Sequence, residues 1–212
     1  MQKQRSAEHD HAQTIRVQRG ANRVVLRRFD PARDSYEQLT LMLHRAFERL
    51  AAMGLHCTCV DQTAALTRQR VLAGDCFVAV CNGRLVGTMT LHGRDADSSC
   101  EHYRRHDVAT LRQLGVHPSW QGRGIGKLML AFAEHWAATR GYAQLALDTP
   151  YPAGHLVAFY RTRGFRIVDV VHFAGKNYES AILAKTPVAF RPFAHEPAVR
   201  PGMPRRTLGR AA

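Results

Sequence analysis

The chain has 212 residues, of which 45% are hydrophobic and 22% are charged. This composition is typical of one folded domain, and it excludes the intrinsically disordered and collagenous classes. Lys and Arg exceed Asp and Glu by 13 charges, which is compatible with an anionic partner. No apolar run approaches the roughly 18 residues that cross a bilayer, and the first ten residues lack the apolar centre of a signal peptide. We therefore expect a cytoplasmic protein that does not enter a membrane.

Periodicity predicts the elements of the first half of the domain. Residues 23–29 form a β-rich run, and Asp30-Pro31 is typical of a helix start. Apolar residues at three- and four-residue steps from Tyr36 to Leu50 predict that helix, and Asp61 is the expected cap of a second helix. Two β-rich runs then flank Asn82-Gly83, a pair that predicts a hairpin because both turn positions need positive φ.

The second half alternates strands and helices. The strands are expected at residues 109–116, 143–148, 166–173 and 178–184, and the helices at 125–140 and 156–163. Helices therefore pack on a mixed sheet that contains one βαβ crossover. The order predicts an α/β (α+β) fold.

The two ends of the chain differ from its centre. Residues 1–22 show no apolar period, so we expect a flexible extension. Residues 188–212 carry five arginines against one glutamate and are rich in proline, which predicts a loosely ordered basic tail. The folded domain is then expected to comprise residues 23–187. Nucleic-acid binding by the basic ends is not favoured, because no nucleic-acid motif accompanies them.

The five cysteines do not predict a disulfide framework. Their number is odd, and we expect reduced thiols. Cys57 and Cys59 lie beside His56, but metal-binding pairs usually have at least two residues between ligands, and no second pair follows. We expect no metal site.

A glycine-rich turn between a strand and a helix is the most informative segment. Gly122, Gly124 and Gly126 precede or open the helix, where free backbone amides and partial positive charge bind phosphate groups. Arg123 and Lys127 add full charges. A Walker loop is excluded by spacing, since Gln121 stands where its first glycine belongs. A dinucleotide fingerprint is one residue short and remains the weaker alternative.

The pattern Gln-x-x-Gly-x-Gly follows a strand that ends Leu114-Gly-Val-His-Pro118, and Phe159-Tyr160 and Gly164-Phe165 come about 40 residues later. This resembles the GCN5-related N-acetyltransferase superfamily, whose members move an acetyl group from acetyl-CoA to an amine. The resemblance covers about residues 23–185. It implies a mixed, mostly antiparallel sheet of about six to seven strands, with helices on both faces and a splayed central parallel pair.

The resemblance also implies a set of site residues. The pantetheine arm of acetyl-CoA would lie in the splay along Leu114 and Val116, and amides of the glycine-rich turn would hold its pyrophosphate. Tyr160 matches the tyrosine that protonates the leaving thiolate, and the Val116 amide is our candidate for stabilising the oxyanion. The complete set for the cofactor is Leu114, Val116, Gln121, Gly122, Arg123, Gly124, Gly126 and Lys127.

The base that deprotonates the amine stays open at this point. The strand segment 111–114 has no carboxylate, which leaves His117, Asp148, Glu101 and His106 as candidates. The asparagine that many members carry ahead of the tyrosine is also missing, and Ala153-Gly154-His155 stands there instead.

These observations predict an acetyl-CoA-dependent N-acetyltransferase. It would act by direct transfer to a primary amine of an unidentified small molecule or peptide. We expect the first two helices, residues 92–107 and the final hairpin to select the acceptor. The alternative is a non-catalytic acyl-CoA-binding or regulatory module, and a homodimer is compatible with either reading.

Overall fold

The computed structural model describes residues 14–19 and 22–190. Within these ranges there are eight strands: β1 Ile15–Arg19, β2 Asn22–Arg28, β3 Asp75–Cys81, β4 Arg84–His92, β5 Val108–Val116, β6 Gln144–Pro150, β7 Arg166–Val171 and β8 Ser180–Lys185. The same ranges hold four α-helices: α1 Tyr36–Ala52, α2 Ala64–Leu72, α3 Ile125–Thr139 and α4 Gly154–Arg161.

The strands form one sheet in the order β1-β2-β3-β4-β5-β6-β8-β7. Neighbouring strands are antiparallel except β5 and β6, which are parallel and joined by the crossover helix α3. This arrangement confirms the mixed, mostly antiparallel sheet with a central parallel pair. The described residues contain one strand more than the six to seven expected.

The additional strand is β1, which pairs with β2 from Ile15 opposite Leu26 to Arg19 opposite Asn22. It lies inside the segment expected to be a flexible extension, so the folded part begins before residue 23. In β1 the apolar residues Ile15 and Val17 alternate with polar ones, which is a strand signal. The signal extends over only five residues, too few to show a clear period. Residues 1–13 and 191–212, on which the rest of both terminal predictions depends, lie outside the described residues.

Helices cover both faces of the sheet, as expected. On one face, α3 packs through Met129 and Phe132, and the Phe132 ring meets Phe77 of β3 edge to face at 4.6 Å. On the other face, α1 buries Leu43 and Leu50 in a second cluster with residues of β3. Burial of apolar side chains on both faces explains why the central strands have nearly continuous hydrophobic sequences.

Both of the predicted caps at the starts of α1 and α2 are wrong. Ser35, not Asp30, caps α1, and its hydroxyl accepts the Gln38 amide at 3.2 Å. Asp30 instead accepts the Ala32 amide in a turn. Arg27 fixes this turn through a two-pronged contact with Asp34, at 2.6 and 2.7 Å, so the chain makes an extra bend before the helix.

Thr63 caps α2, through the Leu66 amide, in place of the expected Asp61. The predicted hairpin is confirmed, with φ of 49° at Asn82 and 74° at Gly83. Neighbouring Ser, Thr and Asp side chains compete to accept the same backbone amides, and the one that accepts becomes the cap. The spacing of apolar residues does not show which one this will be.

A buried ion pair joins α3 to β8. Lys185 Nζ lies 2.7 Å from Glu134 Oε2, and the two side chains are only 18% and 6% exposed. Lys185 also donates to the Arg163 carbonyl oxygen at 2.9 Å, which ties in the turn after α4. Lys185 and Glu134 therefore join α3, β8 and the turn after α4.

We expect Glu134→Gln to destabilise the fold by about 3 kcal/mol, because it leaves the Lys185 charge buried without its partner. Thermal denaturation should show a decrease in Tm of roughly 6–12 °C. The matched control is Glu48→Gln, which breaks the exposed Arg45–Glu48 pair and should change stability by less than about 0.5 kcal/mol. Equal Tm values for the two variants would contradict a structural role of the buried pair.

Candidate functional site

The parallel pair β5 and β6 opens along its length. The two strands pair at Val108 with Gln144, Ala109 with Leu145 and Thr110 with Ala146. Beyond Thr110, β5 and β6 no longer pair with each other. There β5 pairs with β4, and β6 pairs with β8. The splay expected from the sequence therefore lies between residues 111–116 and 147–150.

A bulge in β5 marks the point where the strands separate. Thr88 of β4 pairs with Gly115 and Thr90 with Arg112, so Gln113 and Leu114 together face a single residue of β4. Gln113 has a φ of 54°, an uncommon value for a residue other than glycine. Bulges bend a strand and increase its twist, which accounts for the divergence of β5 from β6.

The register sets the direction of the peptide groups at the end of β5. The His117 amide donates to the Val86 carbonyl oxygen at 2.9 Å, on the β4 side. Because hydrogen-bonding directions alternate along an antiparallel strand, the N–H and C=O of Val116 point away from β4, into the splay. Its carbonyl oxygen accepts the Gln121 side-chain amide at 3.0 Å.

The glycine-rich turn presents bare backbone at the start of α3. Gly122 and Gly124 have φ of 73° and 80°, in the left-handed region that favours glycine. Gly124 is the N-cap, and in the described part of the chain no side chain caps the helix there. The amides of the first turn are therefore free to bind an anion, with positive helix-dipole charge behind them.

Three elements converge beside Gly126. A Cβ built on this residue would lie 3.8 Å from Phe159 Cζ of α4 and 3.8 Å from Val116 Cγ2 of β5. Because Gly126 has no side chain, none fills the space between Val116 and Phe159 beside the uncapped start of α3. A linear thioester arm with a pyrophosphate group fits this shape, because the arm requires an unpaired strand edge and the phosphates require free amides.

Tyr160 lies on α4 and is only 8% exposed. Its ring packs edge to face with Phe159 and Phe165, at centroid distances of 5.2 and 5.9 Å. Burial raises the pKa of the phenol, and the negative charge of Asp148 raises it further. No hydrogen bond to its hydroxyl is found within residues 14–19 and 22–190. The group is thus a neutral proton donor at physiological pH.

Asp148 is an exposed carboxylate on β6, just past the last parallel pair with β5. Its Oδ1 accepts a hydrogen bond from the Tyr103 hydroxyl at 3.2 Å. The negative charge of Asp148 also contributes to raising the pKa of Tyr103, Tyr160 and Tyr178. Tyr103 thus holds this carboxylate at the open end of the splay by a hydrogen bond.

The α1–α2 loop and the β7–β8 turn are joined by Asn177. Its Oδ1 accepts the His56 amide at 3.0 Å, and its Nδ2 donates to the Gly54 carbonyl oxygen at 2.7 Å. Lys176 adds a bond to the Thr58 hydroxyl at 3.1 Å. These contacts bring together two of the three regions expected to select an acceptor.

The sequence-predicted residues fall into two groups. Leu114 and Val116 belong to the part of β5 that lies along the splay, and the backbone from Gly122 to Lys127 follows it in the chain. Tyr160 is buried on α4. The Gln121 side chain differs, because it is engaged with the Val116 carbonyl oxygen and fastens the loop to β5. Arg123 stacks over the Trp120 ring at 4.9 Å, and Lys127 is exposed.

The four candidates for the base are also separated by their surroundings. His117 Nδ1 accepts the Ser119 amide at 3.3 Å, which suits a turn residue. Glu101 and His106 are exposed on the connection between β4 and β5, while Asp148 lies at the splay itself. Sequence reasoning missed Tyr103 altogether, since it belongs to no motif and reaches Asp148 through a tertiary contact.

Other features have simpler explanations. Ala153 caps α4 without a side-chain hydrogen bond, in line with the missing asparagine. All five cysteines are buried and free, and burial raises the pKa of Cys59 and Cys76 to about 11.

No cluster of three or more His, Cys, Asp or Glu side chains suited to a metal ion occurs among residues 14–19 and 22–190. In the same ranges no helix has the length and apolarity required to cross a membrane.

Comparison with known families gives a match over most of the domain. Residues 40–165 match the sequence model of the acetyltransferase (GNAT) family. The matched region runs from α1 to the residue after Gly164, so it contains the splay, the glycine-rich turn and Tyr160.

Two curated proteins are similar to parts of the chain. N-acetylaspartate synthetase from Xenopus tropicalis is 29% identical over 99 residues, which cover 46% of this chain and 33% of that protein. The [ribosomal protein bS18]-alanine N-acetyltransferase of Salmonella typhimurium is 28% identical over 86 residues, which cover 39% of this chain and 58% of that protein. The chain thus matches less than two thirds of the length of either relative.

Solved structures share the fold. The PaiA N-acetyltransferase of Thermoplasma acidophilum, in complex with coenzyme A, superposes with a TM-score of 0.59 at 16% identity. The match covers 77% of this chain and 98% of that one. At this identity the similarity is one of architecture.

Proposed function

Since the chain belongs to the GNAT family of acetyltransferases, we propose that it moves the acetyl group of acetyl-CoA directly to a primary amine. The observation that carries this proposal is the splay between β5 and β6, which ends at the uncapped, glycine-rich start of α3. An unpaired strand edge and a row of free amides together suit a thioester arm and its pyrophosphate.

In this proposal the backbone of the site binds the donor. Leu114 and Val116 offer the strand edge, and the amides from Gly122 to Lys127 take the pyrophosphate. Acetyl-CoA supplies an activated acyl group as a thioester. The Val116 amide donates to the carbonyl oxygen on which negative charge develops, as oxyanion donors do in acyl transfer.

Two side chains move the protons. Asp148 takes a proton from the acceptor ammonium, so that the amine lone pair attacks the carbonyl carbon. A C–N bond forms, the C–S bond breaks, and Tyr160 gives its proton to the departing sulfur. The second proton that the nitrogen loses restores the Tyr160 phenol. The structure favours Asp148 over His117, Glu101 and His106, because it is the carboxylate at the splay that also influences Tyr160.

The acceptor is a primary amine of a small molecule or peptide. The names of the two curated relatives refer to N-acetylaspartate and to an alanine of a ribosomal protein, which supports an amino acid or a peptide N-terminus. Selection by the 54–60 loop and the 172–179 turn is part of the proposal, as is an acting domain close to residues 23–187. A cytoplasmic location and a homodimer remain predictions.

The donor site is tested by thermal denaturation with acetyl-CoA, CoA, NAD, NADP and ATP at equal concentration. A ligand present at about 100 times its Kd adds roughly 2.7 kcal/mol, or roughly 5–10 °C in a chain of this size. We expect a shift with acetyl-CoA and CoA alone. A shift with NAD or NADP and none with acetyl-CoA would overturn the proposal in favour of a dinucleotide site.

A further inference from the structure

The connection between β4 and β5 is long and internally ordered. It runs over residues 93–107, where an antiparallel pair needs as few as two. Its backbone is closed on itself: the Asp95 amide donates to the Tyr103 carbonyl oxygen at 3.0 Å, and Arg94 Nε donates to the Arg104 carbonyl oxygen at 2.6 Å. This connection is therefore a folded unit that can hold a side chain in a fixed place.

The side chain that this unit delivers is Tyr103. It is 1% exposed and packs in a small cluster with Cys100, Val108 and Ile182 on the α1 face of the sheet. Most buried phenols have a hydrogen-bond partner, and here the partner is the Asp148 carboxylate, at 3.2 Å. A residue with no place in any motif thus contacts the proposed base.

A second contact fixes the ring itself. The Arg112 guanidinium lies 5.7 Å from the Tyr103 ring centroid, and it pairs with Asp95 at 2.6 Å. Arg112 is the β5 residue that precedes the bulge, and Asp95 belongs to the same connection as Tyr103. The ring is therefore held between its own connection and the strand that opens the splay.

We propose that Tyr103 is a positioning residue, whose hydroxyl orients the Asp148 carboxylate toward the acceptor amine. The inference rests on the proposed function, because it assigns a supporting group to its base. A carboxylate on an exposed strand position has free rotation about χ1 and χ2. One donated hydrogen bond from a buried, immobile phenol selects a single rotamer and leaves the second oxygen free for the amine.

The catalytic test is Tyr103→Phe, which removes the hydroxyl and keeps the ring. We expect kcat to decrease about tenfold, a fraction of the roughly 10²- to 10⁴-fold that an acid–base group itself contributes. The KM for acetyl-CoA should stay unchanged, because the donor lies along β5 and the start of α3. A loss of local structure alone would move KM and Tm without this selective loss of kcat.

The matched control is Tyr142→Phe. That phenol stacks on Trp136 at 5.8 Å and precedes β6 at the end where β5 and β6 are still paired, so removal of its hydroxyl should leave kcat unchanged. An equal kcat in Tyr103→Phe and the wild type would overturn the inference. So would a loss of kcat equally large in the Tyr142→Phe control.

A stability cycle separates this inference from the proposed function. Tm is measured for the wild type, Tyr103→Phe, Asp148→Ala and the double variant, and these measurements need no acceptor amine. If the hydrogen bond exists, the decrease in Tm of the double variant will be smaller than the sum of the decreases of the two single variants. Additive decreases would overturn the inference. If the cycle shows coupling but the wild type acetylates no amine, the proposed function fails, and the positioning role fails with it, while the contact stands.

Discussion

Replacement of Tyr160 by Phe should decrease kcat by roughly 10²- to 10⁴-fold, the contribution expected of a positioned proton donor. The structure gives two physical reasons. Burial between Phe159 and Phe165, together with the nearby Asp148 charge, raises the pKa of the phenol, so it carries its proton at every physiological pH. Its hydroxyl also lacks a competing hydrogen bond in the part of the chain that the structure describes.

Acetyl-CoA binding separates this role from a structural one. Tyr160→Phe keeps the aromatic contacts, so its thermal shift with acetyl-CoA should equal that of the wild type, and the Tyr142→Phe variant should match the wild type in both assays. Turnover that is unchanged at every pH would contradict the role of Tyr160. An equal loss of binding and turnover would point to packing instead.

Gly126→Val should decrease the acetyl-CoA thermal shift by about half or more without unfolding the protein. The built Cβ meets Phe159 and Val116 at 3.8 Å, an ordinary van der Waals distance, so a side chain fits in the free protein. The two γ-methyl groups of valine would then occupy the space beside Val116 and Phe159 through which we propose that the donor passes. We expect acetyl-CoA to bind at least about tenfold more weakly, a loss of roughly 1.4 kcal/mol.

Two further variants calibrate this result. Gly126→Ala adds only the Cβ and should have an intermediate effect, with a Tm equal to or above that of the wild type because alanine favours helix over glycine by about 1 kcal/mol. Ala138→Val places the same valine at the other end of α3 and should bind acetyl-CoA normally. Unweakened binding by Gly126→Val would show that the donor does not pass beside this residue.

The sequence predicts the strand, turn and helix of the proposed donor half because these elements are local. A strand, three glycines and the start of α3 lie within about 20 consecutive residues, and the free amides follow from helix geometry alone. The Asn82-Gly83 turn and the period of α3 are likewise short-range signals. Family resemblance then connects Tyr160 to this loop from about 35 residues away.

The contacts around the proposed acceptor side could not be predicted because they are tertiary. The Tyr103 hydroxyl meets Asp148 across 45 residues, and Asn177 meets the 54–56 backbone across more than 120. Neither contact leaves a period or a motif in the sequence. The same holds for Ser35, whose selection as a cap depends on the Arg27–Asp34 contact that bends the chain before α1.

The central claim is that acetyl groups pass from acetyl-CoA to an amine at this splay. The most direct test incubates the full chain with acetyl-CoA and a panel of amino acids, polyamines and peptides with free N-termini, and follows free CoA thiol and acetylated amine by mass spectrometry in the same reaction. We predict amine-dependent thiol release, matched one for one by acetylated product and lost in Tyr160→Phe. Acetyl-CoA binding with no acetylated amine from any class would contradict the claim and favour a non-catalytic acyl-CoA-binding module.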